Sequence, residues 1–339
     1  MTYSKKVYVI LINYNGWEDT IECLQSLINV DYTPIQIIVI DNASKDNSIR
    51  KITEWAEGNR EPIPENNDLS ELLIFDKNNR LSFSILEEDE LAEDSTKSSD
   101  IRKVDQLTII KSKKNRGFSG GNNLGLTFAL QKRDCKYLWI LNNDTVVDKN
   151  SVTSKVKYLE DLGGSVLLGT RILDYYRPKK IQSYGGLINK YFATTKHFGE
   201  NMDRETQFSQ DYFPDYIPGT SIFFEKKVLN KIGFMPEDYF MYYEDVDWSL
   251  KAVNLNVQLR ICSDSIIWHK EGASQKHESQ NEHKPEKTDV LSVVNRLKVA
   301  KKYFPGSVII AYLGVTKSIL RMVSNMQFRR AIKVIKKIL

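Results

Sequence analysis

Cysteine is scarce in this chain of 339 residues, and its three copies, Cys23, Cys135 and Cys262, lie far apart. No Cys-x-x-Cys occurs, so neither a zinc knuckle nor a disulfide framework is indicated, and a reducing, cytoplasmic compartment fits. Two glycine signatures are missing as well. The stretch GFSGGNN (117–123) is not Gly-x-Gly-x-x-Gly with an acid about 20 residues on, which disfavours a dinucleotide fold; nor does it end in Gly-Lys-Ser/Thr, as a phosphate loop would. Long apolar runs are absent too. The longest uncharged run of the C-terminal part, Tyr303–Thr316, is too short to span a bilayer. The opening MTYSKKVYVILINYNG lacks a small-residue cleavage site and reads as a first strand, not a signal peptide.

The most local absence is of acid. From Val290 to Leu339 there are eleven Lys/Arg and no Asp or Glu, so of the net +4 the tail carries +11 and residues 1–289 carry −7. A basic tail on an acidic body predicts a separate partner for the tail. What remains is ordinary for a soluble globular chain: 41% apolar and 27% charged, at a length that suits one large domain or two smaller ones.

Strand and helix patterns alternate along the first half. VYVILINY (7–14) and IQIIVID (35–41) are continuous, β-branched runs, as strands buried on both faces should be. Between them, Ile21, Leu24, Leu27 and Ile28 share one helical face. Together they make a βαβ unit. LTIIKS (107–112) and KYLWILNND (136–144) predict further strands, separated by a Gly-rich turn that opens a helix (115–133). The fold expected is α/β, with a mainly parallel sheet flanked by helices. Residues 57–106 interrupt it with an acidic excursion in which LLIF and LSFSIL could form a hairpin. In the second half, SVLLGTRIL, YGGLINKYF, SIFF and NVQLRICSDSIIWH read as strands. DYFMYYEDVDWSLKAVN starts as loop and becomes a helix with Val246, Leu250 and Val253 on one side.

In open parallel sheets, ligands sit beyond the carboxyl ends of the strands. NYNG, DNAS and NND all fall on that edge, so three polar clusters converge on one rim. Asp41 could serve there, or could cap the helix that follows. Asp144 with Asn142 presents hard oxygen ligands to a divalent cation. Gly120 and Gly121 permit close backbone approach and the helix start favours an anion, although a plain tight turn explains the same residues. Glu244, Asp245 and Asp247 sit where a helix begins. There the dipole favours acids, and the flanking aromatics would dry the pocket and raise a carboxylate towards the range of a useful base. His269 ends a strand and is either structural or a metal ligand.

These stretches resemble the family 2 glycosyltransferases, inverting enzymes of the GT-A fold, and within them the rhamnosyltransferase-like branch that builds bacterial surface polysaccharides. The resemblance rests on VILINYNGWEDTIECLQSL, IIVIDNASKDNS, NRGFSGGNN, LWILNNDTVV, PGTSIFFEKKVLNKIGFMPEDYFMYYEDVDWSLKA and WHKEGAS, in that order, over residues 6–55 and 107–275. It leaves the excursion 57–106 outside the pattern. It implies a nucleotide-diphosphate sugar as donor and a saccharide or lipid-linked acceptor. Asn13 and Asn15 would border the base, and Asp41 would hold base or ribose. Asn115, Gly117, Gly121 and Asn122 would line the donor pocket. Asn142-Asn143-Asp144 stands where the family often has Asp-x-Asp, so Asp144, helped by His269, would hold Mg²⁺ or Mn²⁺. Asp245, in the Glu244-Asp245 pair, would be the general base.

Two rivals remain at this point. A nucleotidyltransferase also places a metal on a sheet rim, but needs a basic triphosphate loop that is not found. A nucleotide-sugar-binding assembly partner would need no turnover. For the tail, Ile319, Leu320, Met322, Val323, Met326, Ile332, Val334, Ile335 and Ile338 alternate with Lys/Arg at helical spacing. That pattern predicts basic amphipathic helices on an anionic membrane surface, with a helical pair packed on the body as the alternative; nothing else points to nucleic acid. The expected organisation is a catalytic domain 1–289 and a tail 290–339, cytoplasmic and peripheral on the inner face of the cell membrane.

Overall fold

A computed structural model describes residues 5–91, 105–209, 212–271 and 286–338. Strands β1 (Lys6–Asn13), β2 (Ile35–Asp41), β3 (Phe83–Glu87), β4 (Leu107–Lys111) and β5 (Cys135–Asn142) form the parallel half of one sheet. Strands β6 (Thr145–Val147), β7 (Val166–Asp174), β8 (Ile181–Ser183), β11 (Ser221–Glu225) and β12 (Gln258–His269) form the mixed half. The order is β3-β4-β2-β1-β5-β11-β7-β12-β6, with β8 paired to β7. β11 runs antiparallel to both β5 and β7 and so joins the two halves. A separate ribbon pairs β9 (Gly186–Asn189) with β10 (Thr194–His197).

The apolar strand runs behave as period-2 side-chain geometry requires. Val7, Val9, Leu11, Ile37 and Val39 enter one core with Ile21, Leu24 and Leu27 of α1 (Trp17–Ile28), Ile52 of α2 (Ser48–Ala56) and Val152 of α4 (Ser151–Leu162). Tyr8, Ile10, Ile38 and Ile40 enter the other, with Leu126 of α3 (Gly117–Leu130), Val228 of α5 (Lys226–Ile232) and Trp248 of α6 (Glu244–Asn254). Helices thus cover both faces. α3 approaches closely: a Cβ on Gly125 would lie 2.5 Å from Ile10 Cγ2, and one on Gly121 2.9 Å from Ile12 Cδ1.

Register sets the rim. Asn13 lies beside Asp41, Ile12 beside Asn142, and Asp41 beside Lys111. All the polar tips therefore end at one height.

Several expectations are corrected. LLIF and LSFSIL do not form a hairpin. Asn67–Leu72 is a 3₁₀ turn, and Phe83–Glu87 adds to the sheet edge parallel to β4, because β4 would otherwise leave its ladder groups unpaired. On α6 the buried face is Val246, Ser249 and Ala252, whereas Val253 is exposed. The C-terminal segment forms three helices, α7 (Glu286–Tyr303), α8 (Val308–Ser324) and α9 (Phe328–Ile338). The uncharged run ends at Thr316, but the helix does not: Pro305–Ser324 is, by length and composition, long and apolar enough to cross a membrane. Ala311, Val315 and Met322 of α8 pack with Leu297 and Ala300 of α7 and Ala331 and Val334 of α9. His277 and His283 lie outside the described residues.

Candidate active site

The strand tips are joined by hydrogen bonds that close into a ring. Asn13 Nδ2 donates to Asp41 Oδ1 at 2.9 Å and to Ser44 Oγ at 3.0 Å. Asp41 Oδ2 accepts from Ser44 N, while the helix that follows starts only at Ser48 behind Asn47. Asp41 therefore shapes the β2 tip and does not cap α2. Asn15 takes Lys45 N on its side-chain oxygen at 2.7 Å. A cleft of about 390 Å³ opens beside it, lined by Asn15, Trp17, Glu18, Lys45 and Asp46; its lining includes neither Asp144 nor Asp245.

From Asp41 the ring runs both ways. On one side the next residue, Asn42, donates to Asn115 Oδ1 and to Gly117 O, both at 3.2 Å, and accepts from Arg116 N at 2.9 Å. Asn115 Oδ1 in turn holds Gly117 N at 2.9 Å. Gly117 has φ +68, and a Cβ there would lie 2.2 Å from Phe240 O, so only glycine fits. Asn122 Nδ2 turns back to Phe118 O, and its buried Oδ1 has no hydrogen-bond partner. On the other side, Thr20 Oγ1 reaches Asn13 Oδ1 at 3.0 Å and takes Asn143 Nδ2 at 2.8 Å.

Asn143 leads to Asp144. Asp144 Oδ1 lies 3.2 Å from His269 Nε2, both side chains being almost fully buried. Burial alone would push this carboxyl up, but the His269 imidazole holds it below its ordinary value. The converse holds for His269: burial opposes its charge, and Asp144 lifts it above the usual histidine range. His269 Nδ1 sits 2.7 Å from Gln182 Oε1, and a carboxamide oxygen only accepts, so Nδ1 carries a proton, and in the imidazolium Nε2 carries the other. Nε2 is left facing Asp144 and, at 3.2 Å, Asn142 Nδ2.

These residues fit a divalent cation. Asp144 Oδ1 is buried and accepts no hydrogen bond, its contact being the imidazole. Exchanging the Nε2 proton for a metal would put a carboxylate and an imidazole on it, with the Asn142 amide oxygen available if that amide turned. No cluster of three His, Cys, Asp or Glu exists among the described residues. Remaining ligands would therefore come from diphosphate and water, as is usual for Mg²⁺. Behind the pair, Lys270 Nζ is 2.6 Å from Asp19 Oδ1 and 2.7 Å from Glu22 Oε2, which ties the β12 end to α1.

The third acid, Asp245 of α6, joins through the residues that lead into β11. Asn142 N donates to Thr220 O at 3.0 Å, and the neighbouring Gly219 N donates to Asp245 Oδ2 at 2.9 Å. Val246 N supports Asp245 Oδ1 at 2.8 Å. The space above Gly219 Cα is bounded by the Phe118 ring and Asp245 Cβ, which closes the ring back to α3. Glu244 is buried with Oε2 unpaired, and burial, then the charge of Asp245, pushes its carboxyl up to about 8. Burial also raises Asp245, against the pull of the Gly219 and Val246 amides and of His197. Of the two carboxyls, Asp245 is the less buried.

A rim of this kind, with a border of Asn and Asp, a carboxylate–imidazole pair and a buried acidic pair, can be compared with known proteins. The model for "Glycosyl transferase family 2" matches residues 8–79 and 88–233. The chain belongs to glycosyl transferase family 2. The family match includes residues 57–79 and 88–106, so all of the acidic excursion except 80–87 lies inside the family pattern and not outside it. A low-salt glycan biosynthesis hexosyltransferase of Haloferax volcanii, Agl10, is 25% identical over 188 residues, 54% of this chain and 59% of that one. The dTDP-rhamnosyl transferase RfbF of Shigella flexneri is 22% identical over 170 residues, 49% of this chain and 53% of that one. The chain thus spans somewhat more than half the length of these curated relatives. Among solved structures, the Pyrobaculum calidifontis mannosyltransferase PcManGT with GDP-Man and Mn²⁺ superposes with a TM-score of 0.52 at 14% identity, over 95% of this chain and 76% of that one. GalNAc-T7 with UDP, GalNAc and Mn²⁺ gives 0.53 at 13%, over 86% and 50%. The family 2 chain therefore has the GT-A fold.

Sequence reasoning missed Thr20, Asn42, Gln182, His197 and Gly219. Gln182 and His197 come from short strands without any motif, and only the fold brings them near His269 and Asp245. Asn42 was in view inside DNAS but not singled out.

Proposed function

We propose that this family 2 protein is an inverting glycosyltransferase that moves a sugar from a nucleotide-diphosphate sugar to a hydroxyl of a saccharide or lipid-linked acceptor, in bacterial surface polysaccharide synthesis. The observation that carries the reading is the junction at β5: Asn142 N on Thr220 O, one residue from Gly219 N on Asp245 Oδ2. It supports the reading by linking the end of β5, two residues before Asp144, to the segment that holds Asp245.

In this reading Asn13, Asn15 and Asp41 receive the nucleoside. Asn115, Gly117 and Asn122 shape the donor pocket, and Gly121 lets α3 settle on β1 so that its amides approach the diphosphate. Asn142 and Asn143 set the position of Asp144. Asp144 and His269 hold Mg²⁺ or Mn²⁺, which when bound would supply positive charge to the leaving diphosphate. Asp245, held by two backbone amides, takes the proton of the acceptor hydroxyl as it attacks the anomeric carbon from the face opposite the diphosphate. Glu244, pushed up to about 8 by burial and by the charge of Asp245, keeps the pair from carrying two full charges near neutrality. A single displacement inverts the configuration.

The relative named a dTDP-rhamnosyl transferase makes dTDP-rhamnose the first donor to test. The tail 290–339 acts as a second functional unit that docks the cytoplasmic enzyme on the inner face of the membrane, where a lipid-linked acceptor lies. What supports this is the row Ile309, Leu313 and Leu320, at 78%, 64% and 62% exposed, with Lys317 and Arg321 beside it.

The test is Asp245→Asn. A panel of dTDP-rhamnose, UDP-GlcNAc and GDP-mannose, with Mn²⁺, identifies the donor by thermal stabilisation. The variant should keep that stabilisation and lose turnover by a factor of 10² or more, on the order expected for a missing general base. Retained turnover would refute the role of Asp245; absence of turnover in the unaltered protein would favour a binding partner.

A further inference from the structure

The loop that delivers the acidic pair is strained. Phe240 has φ 64 and ψ −52, and Met241 N bonds Tyr239 O at 2.8 Å, which makes a γ-turn of the rare positive-φ kind. Tyr242 and Tyr243 follow at φ 67 and 71. Three bulky aromatic residues are thus left-handed within four positions, directly before Glu244. Such backbone persists only where its surroundings over-determine it.

Two elements do so. Phe118 N, at the start of α3, donates to Phe240 O at 2.8 Å. The other clamp comes from the tail. Asn295 of α7 is 4% exposed, and its Nδ2 lies 3.1 Å from Tyr239 O, 2.9 Å from Met241 O and 2.9 Å from Tyr242 O. Every carbonyl from 239 to 242 thus has a donor: Phe118 N for Phe240 O, and the two Nδ2 hydrogens of Asn295 shared among the other three, of which Tyr239 O also takes Met241 N. Residues at helical spacing after Asn295 continue the contact. Lys298 Nζ takes Asp238 O at 2.8 Å, Lys302 Nζ lies 2.9 and 2.8 Å from the Asp247 carboxylate oxygens, and Tyr303 OH donates to Asp247 Oδ1 at 2.8 Å. Tyr239 OH meets the same carboxylate at 2.7 Å. This polar face of α7 brackets the loop from Asp238 to Asp247.

Simple docking of the tail does not explain this arrangement. A helix docks through apolar contact, and α7 has that already in Val299, which clusters with Ile188, Tyr216, Tyr239, Tyr243 and Val246. A buried carboxamide spent on three carbonyls of a left-handed turn does something else: it selects one backbone course for the loop. We infer that Asn295 is a positioning residue for the transfer reaction, holding loop 239–243 so that Asp245 stays on the Gly219 amide. The first helix of the tail is then part of the catalytic apparatus, and its Lys298 and Lys302 serve the loop. The inference rests on the reading of Asp245 as base. The donor pocket has its own anchors, Asn115 on Gly117 and Asn42 on Arg116, which do not involve α7.

The experiment uses the full chain and the donor found by the thermal-shift panel, with nucleoside diphosphate release as readout. Asn295→Ala should lower kcat on the order of 10²-fold, the loss expected when a reacting group is misplaced by about an ångström, and leave the donor KM within about threefold. Amide hydrogen exchange should speed up at 240–246 and stay slow in β1 and β5. Unchanged kcat overturns the inference. So does a joint loss of kcat, KM and sheet protection, which marks a merely structural residue. Tyr303→Phe covers the case in which Asn295→Ala does not fold: removing the hydroxyl from Asp247 should lower kcat several-fold at constant KM, and no change overturns the inference. Asp245→Asn runs in parallel. If it keeps turnover, the base reading fails while exchange at 240–246 still judges the clamp; if it loses turnover and Asn295→Ala does not, the clamp fails alone.

Discussion

His269 Nε2 lies 3.2 Å from Asp144 Oδ1, and it is the one ring nitrogen of His269 not committed to Gln182. The pair is held from behind: Lys270 N donates to Asp144 O at 3.0 Å and Lys270 Nζ reaches α1. A carboxylate and an imidazole fixed this way are two donors of the kind a divalent cation takes.

Metal binding is therefore the first expected outcome. Asp144→Asn should abolish most of the stabilisation by Mn²⁺, raising the concentration for a half-maximal thermal shift on the order of 10²-fold. Gln182→Leu, which frees the ring without touching a ligand, should raise it by about 10- to 100-fold. An unaltered Mn²⁺ response in Asp144→Asn would exclude the site.

The Glu244 carboxyl, pushed up to about 8 by burial and then by Asp245, carries a pH dependence. The folded pKa lies above the unfolded one, so this group is without penalty below about pH 4.5 and costs stability progressively as pH rises through 8. Glu244→Gln should leave the melting temperature nearly unchanged at pH 4.5 and raise it at pH 9. Equal shifts at both pH values would show that Glu244 is not buried as described.

Lys155 gives the opposite case. It is fully buried, with Nζ 3.8 Å from the centre of the Trp139 ring and 2.6 Å from Ser265 Oγ, and burial lowers its pKa to about 7. Its folded pKa is depressed, so the fold is penalised at and below pH 7 and relieved as pH rises towards the unfolded value of about 10.5. Lys155→Met should stabilise the protein by a few kcal/mol at pH 7 and by little at pH 10.5, a gain on the order set by the size of the shift. Ser151 and Ser265 remain paired with each other at 2.6 Å. Denaturant melts at the two pH values decide it; a loss of stability at pH 7 would contradict the account.

Tail docking calls for point substitutions, because deleting 290–339 would also remove Asn295. Ile309→Ser, Leu313→Ser and Leu320→Ser together should abolish sedimentation with anionic phosphatidylglycerol vesicles while turnover on a soluble acceptor persists. Undiminished sedimentation would show that this face does not meet the bilayer.

Much of this protein is set by local chemistry that a single chain displays. β1, β2, β4 and β5 are buried on both faces, so their apolar runs are continuous and self-evident. Asn13, Asp41 and Asn142 end those runs, and strand ends in a parallel sheet share an edge. Other features have no local cause. β3 is a strand because β4 offered an open edge, not because LSFSIL alternates. Val253 is exposed because α6 meets the sheet through Trp248, which packs on Phe224 of β11, and Ala252, and that face turns Val253 outward. Gln182, His197 and Asn295 matter through partners about 50 to 90 residues away, and a contact of that separation leaves no period or spacing to read. The basic tail shows both sides: its charge and helical period are written in the chain, but which lysines face a carboxylate and which face outward was decided only when α7 lay down on the loop before Glu244.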